Sequence, residues 1–358
     1  MEKKAATYHI IGSGVAGLFC ARILKQKYPW IKTVVYEAAD TPGGRGRSSR
    51  DDDFAQILDY ATHVILGANK EMGHFVKTNE WEKNCLFWNA KDENLSSKLL
   101  PFKNHILESC CNTKAEKIAP EIIKNIIKQT FPWLPYKRKI YFSKHDLSQR
   151  IINLLTPFAD TIFYNTKLLR LETQFGRVAQ LDFNNHQVEL GADDKVILAL
   201  DNRNCAKLLK TEPLPHNGII NIFYRTSQKI FLPKGASFVA VVDGIADWVF
   251  VNDNILGVTI SAIDEDYINL QDLTREVWQE LDRLRGVNSA FVPPFKVLHH
   301  KHATIAQDTG TNARRPDSAK TQYPNVFIAG DWTMKDYPCC IETDAFSAKS
   351  AVSAAMKS

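Results

Sequence analysis

Three glycines in the run Gly12-Ser13-Gly14-Val15-Ala16-Gly17 stand at the spacing with which a backbone wraps the diphosphate of a dinucleotide. Gly12 permits a tight turn, Gly14 lets the main chain approach the pyrophosphate, and Gly17 lets the following helix pack closely on its strand. The helix N-terminus adds partial positive charge. Glu37 follows Gly17 by 20 positions and ends the next apolar run, where a carboxylate accepts the adenosine ribose hydroxyls; Ala38 comes directly after it. A second pair, Gly43-Gly44, with Arg45 suits a second approach to the diphosphate, and ordinary NAD-binding units lack it. Near the C-terminus, Val326-Phe327-Ile328-Ala329 runs into Gly330-Asp331-Trp332. There Asp331 would bond a ribityl chain, and a helix from about Ile341-Glu342 would aim backbone N–H groups at a flavin. Taken singly, these features also read as a Gly-rich turn, a surface turn with solvated arginines and a capping aspartate. Together they suit one cofactor, FAD. With Leu168 from an intervening strand, the candidate FAD-binding set is Gly12, Gly14, Ala16, Gly17, Glu37, Ala38, Gly43, Gly44, Arg45, Leu168, Gly330, Asp331, Trp332, Ile341 and Glu342.

The elements that must position these residues follow from hydrophobic periodicity. Tyr8–Ile11 reads as a buried strand, 14–27 as a helix with Leu18, Ala21 and Leu24 on one face, and Thr33–Tyr36 as a second strand, a β-α-β unit. Helices are predicted near 117–129 and 146–155. The segments 161–164, 168–172, 178–183 and 196–200 then alternate as strands that return to the nucleotide domain. A β-rich stretch follows at 219–224, 237–242, 248–251 and 256–261. Leu273, Val277, Leu281 and Leu284 mark an amphipathic helix, and a small-residue helix near 342–356 follows the last strand. The fold class is α/β, a Rossmann-like FAD-binding domain interleaved with an α+β substrate domain. Residues 1–70, 146–212 and 301–358 are assigned to the first, 71–145 and 213–300 to the second.

A chain of 358 residues, 44% hydrophobic and 24% charged, has the composition of a packed soluble enzyme rather than of a disordered or membrane-embedded chain. Its +5 net charge is scattered, Lys137-Arg138-Lys139 being the densest basic run, which gives no support to nucleic-acid binding and reads as a solvated face or a contact with an anionic membrane. Seven cysteines, none in CxxC spacing, predict reduced thiols in a cytosol and no metal site. The Lys3-Lys4 pair before an apolar run imitates a secretory leader, but the glycine loop and the βαβ continuation argue against one. No apolar run is long enough to span a bilayer.

Most of the chain then resembles the squalene-associated FAD-dependent desaturases, the hydroxysqualene dehydroxylases, within the flavin amine oxidase and phytoene desaturase superfamily. The resemblance is carried, beyond the FAD motifs, by Ile57-Leu58-Asp59-Tyr60-Ala61-Thr62-His63-Val64-Ile65-Leu66-Gly67-Ala68, Cys111-Asn112-Thr113 and Asp146-Leu147-Ser148. It continues through Trp248-Val249-Phe250, Ile260-Ser261-Ala262, Lys301-His302-Ala303-Thr304, Ala313-Arg314-Arg315-Pro316, Gly330-Asp331-Trp332-Thr333 and Ile341-Glu342. Three departures accompany it. Only Asp59 and His63 survive of the family's Asp-Asn-Gly-Gln-His, Thr343-Asp344 replace small residues after Ile-Glu, and the helical insert between about Trp88 and His105 is short.

The resemblance implies reductive removal of an allylic hydroxyl from a triterpene, giving squalene for hopanoid or carotenoid synthesis within isoprenoid biosynthesis. It implies a lipophilic small-molecule substrate and a cytoplasmic location with peripheral contact to the inner face of the cell membrane. Candidate catalytic residues are His63, Asp59, Tyr337 and Lys301. Three of them have a plainer reading: His63 as a buried structural histidine, Tyr337 as ordinary packing and Lys301 as a salt-bridged surface lysine. Arg314 and Arg315 read as a structural ion pair, and Cys339-Cys340 as small packing residues. A flavin amine oxidase or other small-molecule flavin oxidoreductase is the alternative, suggested by Tyr337 and the short lobe. A flavoprotein without turnover is a third reading.

Overall fold

A computed structural model of the chain describes residues 6–54, 56–59, 64–66, 69–72, 81–82, 85–96, 104–130, 140–143, 147–263 and 269–358. Its chain divides into two compact units, one of residues 1–48, 147–214 and 312–358, the other of 49–146 and 215–311.

The first unit is built on a five-stranded sheet in the order Thr161–Phe163, Lys32–Tyr36, Thr7–Ile11, Lys195–Leu198, Val326–Ile328, every pairing parallel. Parallel sheets of this kind are covered on both faces, so their central strands are largely apolar. Ile10, Val35, Ile197 and Val326 are fully buried. The first helix, Val15–Lys27, lies against the C-terminal helix, Ile341–Met356, whose buried Ala345, Ala348, Ala351 and Ala355 allow the two backbones to approach closely. Cys20 Sγ reaches Ala348 O at 3.9 Å, and Tyr8 Oη donates to Ala355 O at 3.2 Å. Leu168–Gln174, Arg177–Phe183 and Gln187–Glu189 form a separate antiparallel sheet instead of joining the parallel one.

The second unit holds a seven-stranded sheet in the order Phe295–Ile305, His216–Arg225, Ile255–Ile263, Trp248–Asn252, Phe238–Val242, Cys85–Asn89, Asn94–Ser96. The helix Leu270–Arg285 drives Val277, Trp278, Leu281 and Leu284 into an aliphatic cluster with Ile220, Ile222, Val258 and Ile260. Asn269 caps it by accepting from the backbone N–H of Gln271 and Asp272, and Gly286 closes it in the left-handed region at φ 68°. A second cluster is aromatic: Phe54, Phe87, Phe223, Phe238, Trp248 and Phe250, joined by Leu58. The strand 295–305 escaped sequence reading because His299-His300-Lys301-His302 breaks apolar alternation, which an edge strand tolerates since only one side of its backbone is paired.

Several resemblance segments meet inside this unit as a buried polar lattice. Asn112, at φ 47°, donates to Asn217 O at 3.2 Å and Thr304 Oγ1 at 2.9 Å and accepts from Ala262 N–H at 2.6 Å. Asn217 returns a bond to Asn112 O at 2.7 Å, and Thr113 Oγ1 accepts from Gln307 N–H at 2.9 Å. Asn112→Ala strands the Ala262 donor and forces alanine into a left-handed backbone. We expect a loss of about 2–4 kcal/mol, read as a lowered denaturation midpoint with an unchanged slope.

Candidate cofactor site

The glycines of the first loop are required for different reasons. A Cβ on Gly12, at φ 102°, would lie 2.4 Å from Ala199 O, and one on Gly17 would lie 2.0 Å from Gly12 O. The protein's own packing therefore demands both glycines. A Cβ on Gly14 would meet nothing within 4 Å, so its bareness serves something outside the protein. The second glycine pair is brought to this opening: Gly14 and Gly43 form a parallel bridge, Gly43 N–H donates to Ser13 O at 3.0 Å, and a Cβ on Gly44 would come 3.3 Å from Gly14 Cα.

Glu37 is bound into the loop it was expected to assist. Its carboxylate accepts from Ser13 N–H at 2.8 Å, Ser13 Oγ at 2.7 Å and Ala39 N–H at 2.9 Å. Thr166 N–H donates to Glu37 O at 2.7 Å, which places Leu168, two residues on, close to this corner. Ala16 is buried and Ala38 exposed.

The C-terminal motif joins the same unit through Arg45, whose Nη2 donates to Asp331 Oδ1 at 2.8 Å. Asp331 holds the guanidinium firmly protonated. Asp331 Oδ1 also accepts from Trp332 N–H at 2.8 Å, and Trp332 Nε1 donates to Leu200 O at 2.9 Å. Neither helix at the site, Val15–Lys27 behind Gly14 or Ile341–Met356 behind Cys340, has a side-chain cap. Their uncapped N–H groups and partial positive charge suit a polyanion. Open space over Gly14, two apposed glycine turns and Arg45 fit a dinucleotide diphosphate.

Two residues noted in the sequence, but not among the candidate site residues, shape the site. Arg315, 2% exposed, donates from Nε to Trp332 O at 3.0 Å, from Nη2 to Asp331 O at 2.7 Å and from Nη1 to Tyr337 O at 2.8 Å. Among the described residues it has no ion-pair partner, where a structural ion pair was expected; it clamps three carbonyls of the loop that presents Asp331. Asp344 Oδ1 accepts from Asp331 N–H at 2.8 Å. Each function depends on contacts 13 to 22 positions away in sequence, beyond any local pattern.

The catalytic candidates fare differently. Tyr337 is half-buried, its ring edge-on to Phe346 with centroids 6.0 Å apart. Cys340 Sγ lies 3.4 Å from Thr343 Oγ1, and burial pushes its thiol up to about 11 and that of Cys339 higher still, so both stay protonated and inert. Lys301 is exposed on the edge strand of the second unit. Asp59 ends the strand Gln56–Asp59, and His63 lies outside the described residues. Among the described residues no cluster could hold a metal ion, and no helix is long and apolar enough to cross a membrane.

Residues 135–356 match the family described as flavin containing amine oxidoreductase, and residues 10–78 match an NAD(P)-binding Rossmann-like domain. A hydroxysqualene dehydroxylase of Rhodopseudomonas palustris is 34% identical over 94% of this chain and 95% of its own. One of Sinorhizobium fredii is 24% identical over 97% of this chain and 98% of its own. Among solved structures, an oxidoreductase from Methanosarcina mazei superposes with TM-score 0.75 at 13% identity, over 98% of this chain and 100% of that one. A putrescine oxidase bound to putrescine gives TM-score 0.68 at 11% identity, with 99% of both chains covered. At these identities the structural likenesses speak to the fold alone.

Proposed function

This chain belongs to the hydroxysqualene dehydroxylases, within the flavin-containing amine oxidoreductases, and we propose that it replaces the allylic hydroxyl of hydroxysqualene by hydrogen, yielding squalene and water. The 34% identity to the Rhodopseudomonas relative, extending over 94% of the chain, carries this reading. The cofactor is FAD, which when bound supplies a hydride for a net two-electron reduction. In this reading Gly12–Gly17, Gly43-Gly44 and Arg45 hold the diphosphate, the Glu37 corner the adenosine end, and Asp331 the ribityl side.

The remaining requirements fall on the second unit. A triterpene must be held by apolar surface and water kept from a cation that forms as the hydroxyl leaves. The Phe87, Phe223, Phe238, Trp248 and Phe250 cluster gives this unit a dry, apolar interior. The motif Asp59-Tyr60-Ala61-Thr62-His63, which carries part of the resemblance, makes Asp59 and His63 the proposed source of the proton taken by the departing hydroxyl. A lipophilic substrate also implies delivery from a bilayer, and the squalene formed would feed hopanoid or carotenoid synthesis.

The test is anaerobic incubation of the chemically reduced holoenzyme with hydroxysqualene, followed by lipid extraction and mass analysis. We expect squalene in amounts matching the flavin oxidised. Peroxide evolved from an amine by the oxidised enzyme, with no squalene formed, would assign the chain to amine oxidation instead.

A further inference from the structure

Asp344 stands against a second carboxylate of the cofactor site. It lies in the first turn of the C-terminal helix, and its Oδ1 takes the N–H of Asp331, whose own carboxylate takes the Arg45 guanidinium. Its second oxygen bonds to no described residue, and the residue is half-buried. Arg45 thus faces two carboxylates before any ligand arrives, and a diphosphate adds about two further negative charges at the turn Arg45 helps to form. The other neighbours give Asp344 no counter-ion in contact: Glu342 is in the same turn, Arg315 keeps its charge but directs its bonds at three carbonyls and none at Asp344, and the thiols of Cys20 on the first helix and of Cys339 and Cys340 are kept neutral.

We propose that FAD binds to this protein together with one proton, carried by the Asp344 carboxyl, which remains neutral for as long as the diphosphate occupies the site. Neutral, it still accepts from Asp331 N–H through one oxygen and presents an O–H, rather than a charge, from the other. Burial, and then the charge of Asp331, already push this carboxyl up to about 8 in the protein alone, Arg45 opposing them only in part. Diphosphate raises it further. A group whose pKa rises on binding contributes affinity that is complete below the pKa of the free protein and is lost as pH climbs above it. FAD affinity is therefore constant on the acid side of about pH 8 and falls on the alkaline side.

The inference rests on FAD being the cofactor and is independent of the substrate, so failure of the squalene assay leaves it standing. Apoprotein is titrated with FAD between pH 6 and 9.5, following the quenching of flavin fluorescence. We expect Kd to be flat up to about pH 8 and then to rise about tenfold per unit. Calorimetry at pH 8.5 in buffers of different ionisation enthalpy should record uptake of most of one proton per FAD. Asp344→Asn keeps the acceptor for Asp331 N–H and removes the titration, so its Kd should be level across the range and its proton uptake nil. A wild-type Kd that stays constant to pH 9.5 without proton uptake overturns the proposal, as does an asparagine variant that retains the wild-type slope. The wild-type proton count decides the matter even if the variant fails to fold.

Discussion

Gly14→Val is expected to weaken FAD binding at least about 100-fold while the apoprotein keeps its fold. Gly14 has φ −67° and ψ 177°, a conformation open to any residue, and a Cβ there meets no protein atom within 4 Å. Valine at a helix N-cap costs the fold only about 1 kcal/mol. Its two methyl groups, however, fill the space through which a phosphate must approach the N-terminus of the helix Val15–Lys27. Contact at van der Waals distance then replaces charge-assisted N–H bonds, and losing two of these, at about 1.5–3 kcal/mol each, accounts for the expected factor. Gly17→Val is the contrasting variant, because its Cβ would lie 2.0 Å from Gly12 O, and it should fail to yield folded protein at all. The measurements are FAD titration of the apoprotein and thermal melting followed by far-ultraviolet circular dichroism. FAD bound by Gly14→Val at wild-type affinity would place the diphosphate somewhere other than over this loop.

Arg315→Ala is expected to remove cofactor binding through the loop it holds rather than through any contact with FAD. The change leaves three carbonyls without their donor and a guanidinium-sized void in a site that is 2% exposed. A stability loss of about 3–5 kcal/mol follows from groups of this kind. Arg315→Lys separates the two effects. Lysine preserves charge and much of the volume, but a single ammonium cannot bond three carbonyls that a planar fork spans. We expect the lysine variant to fold, to melt a few degrees lower, and to bind FAD roughly 10- to 100-fold more weakly because Asp331 is no longer fixed toward Arg45. Equal FAD affinity in the lysine variant and the wild type would reduce Arg315 to a purely structural residue.

Sequence spacing was sufficient for the cofactor loop and its scaffold because the physics there is local. A strand, a Gly-rich turn and a helix are contiguous, their periodicities differ, and a glycine required by sterics is conspicuous among bulkier residues. The parallel strands are legible for the same reason, being short apolar runs between turn residues. The edge strand 295–305 is not, since its histidines and lysines obey solvent on one side rather than a core. Arg315 and Asp344 are less legible still: arginine before proline and aspartate in a helix are ordinary in isolation, and only folding brings one beneath three carbonyls and the other against Asp331 N–H. By itself the sequence determined a dinucleotide loop and the two glycine turns, because each is a short-range steric requirement, and the FAD reading, because motifs at both ends of the chain suit one cofactor. The tertiary structure alone decided which glycine is bare of protein contact, which arginine holds the loop and which carboxyl lies against Asp331 N–H, because such contacts arise only where distant segments meet.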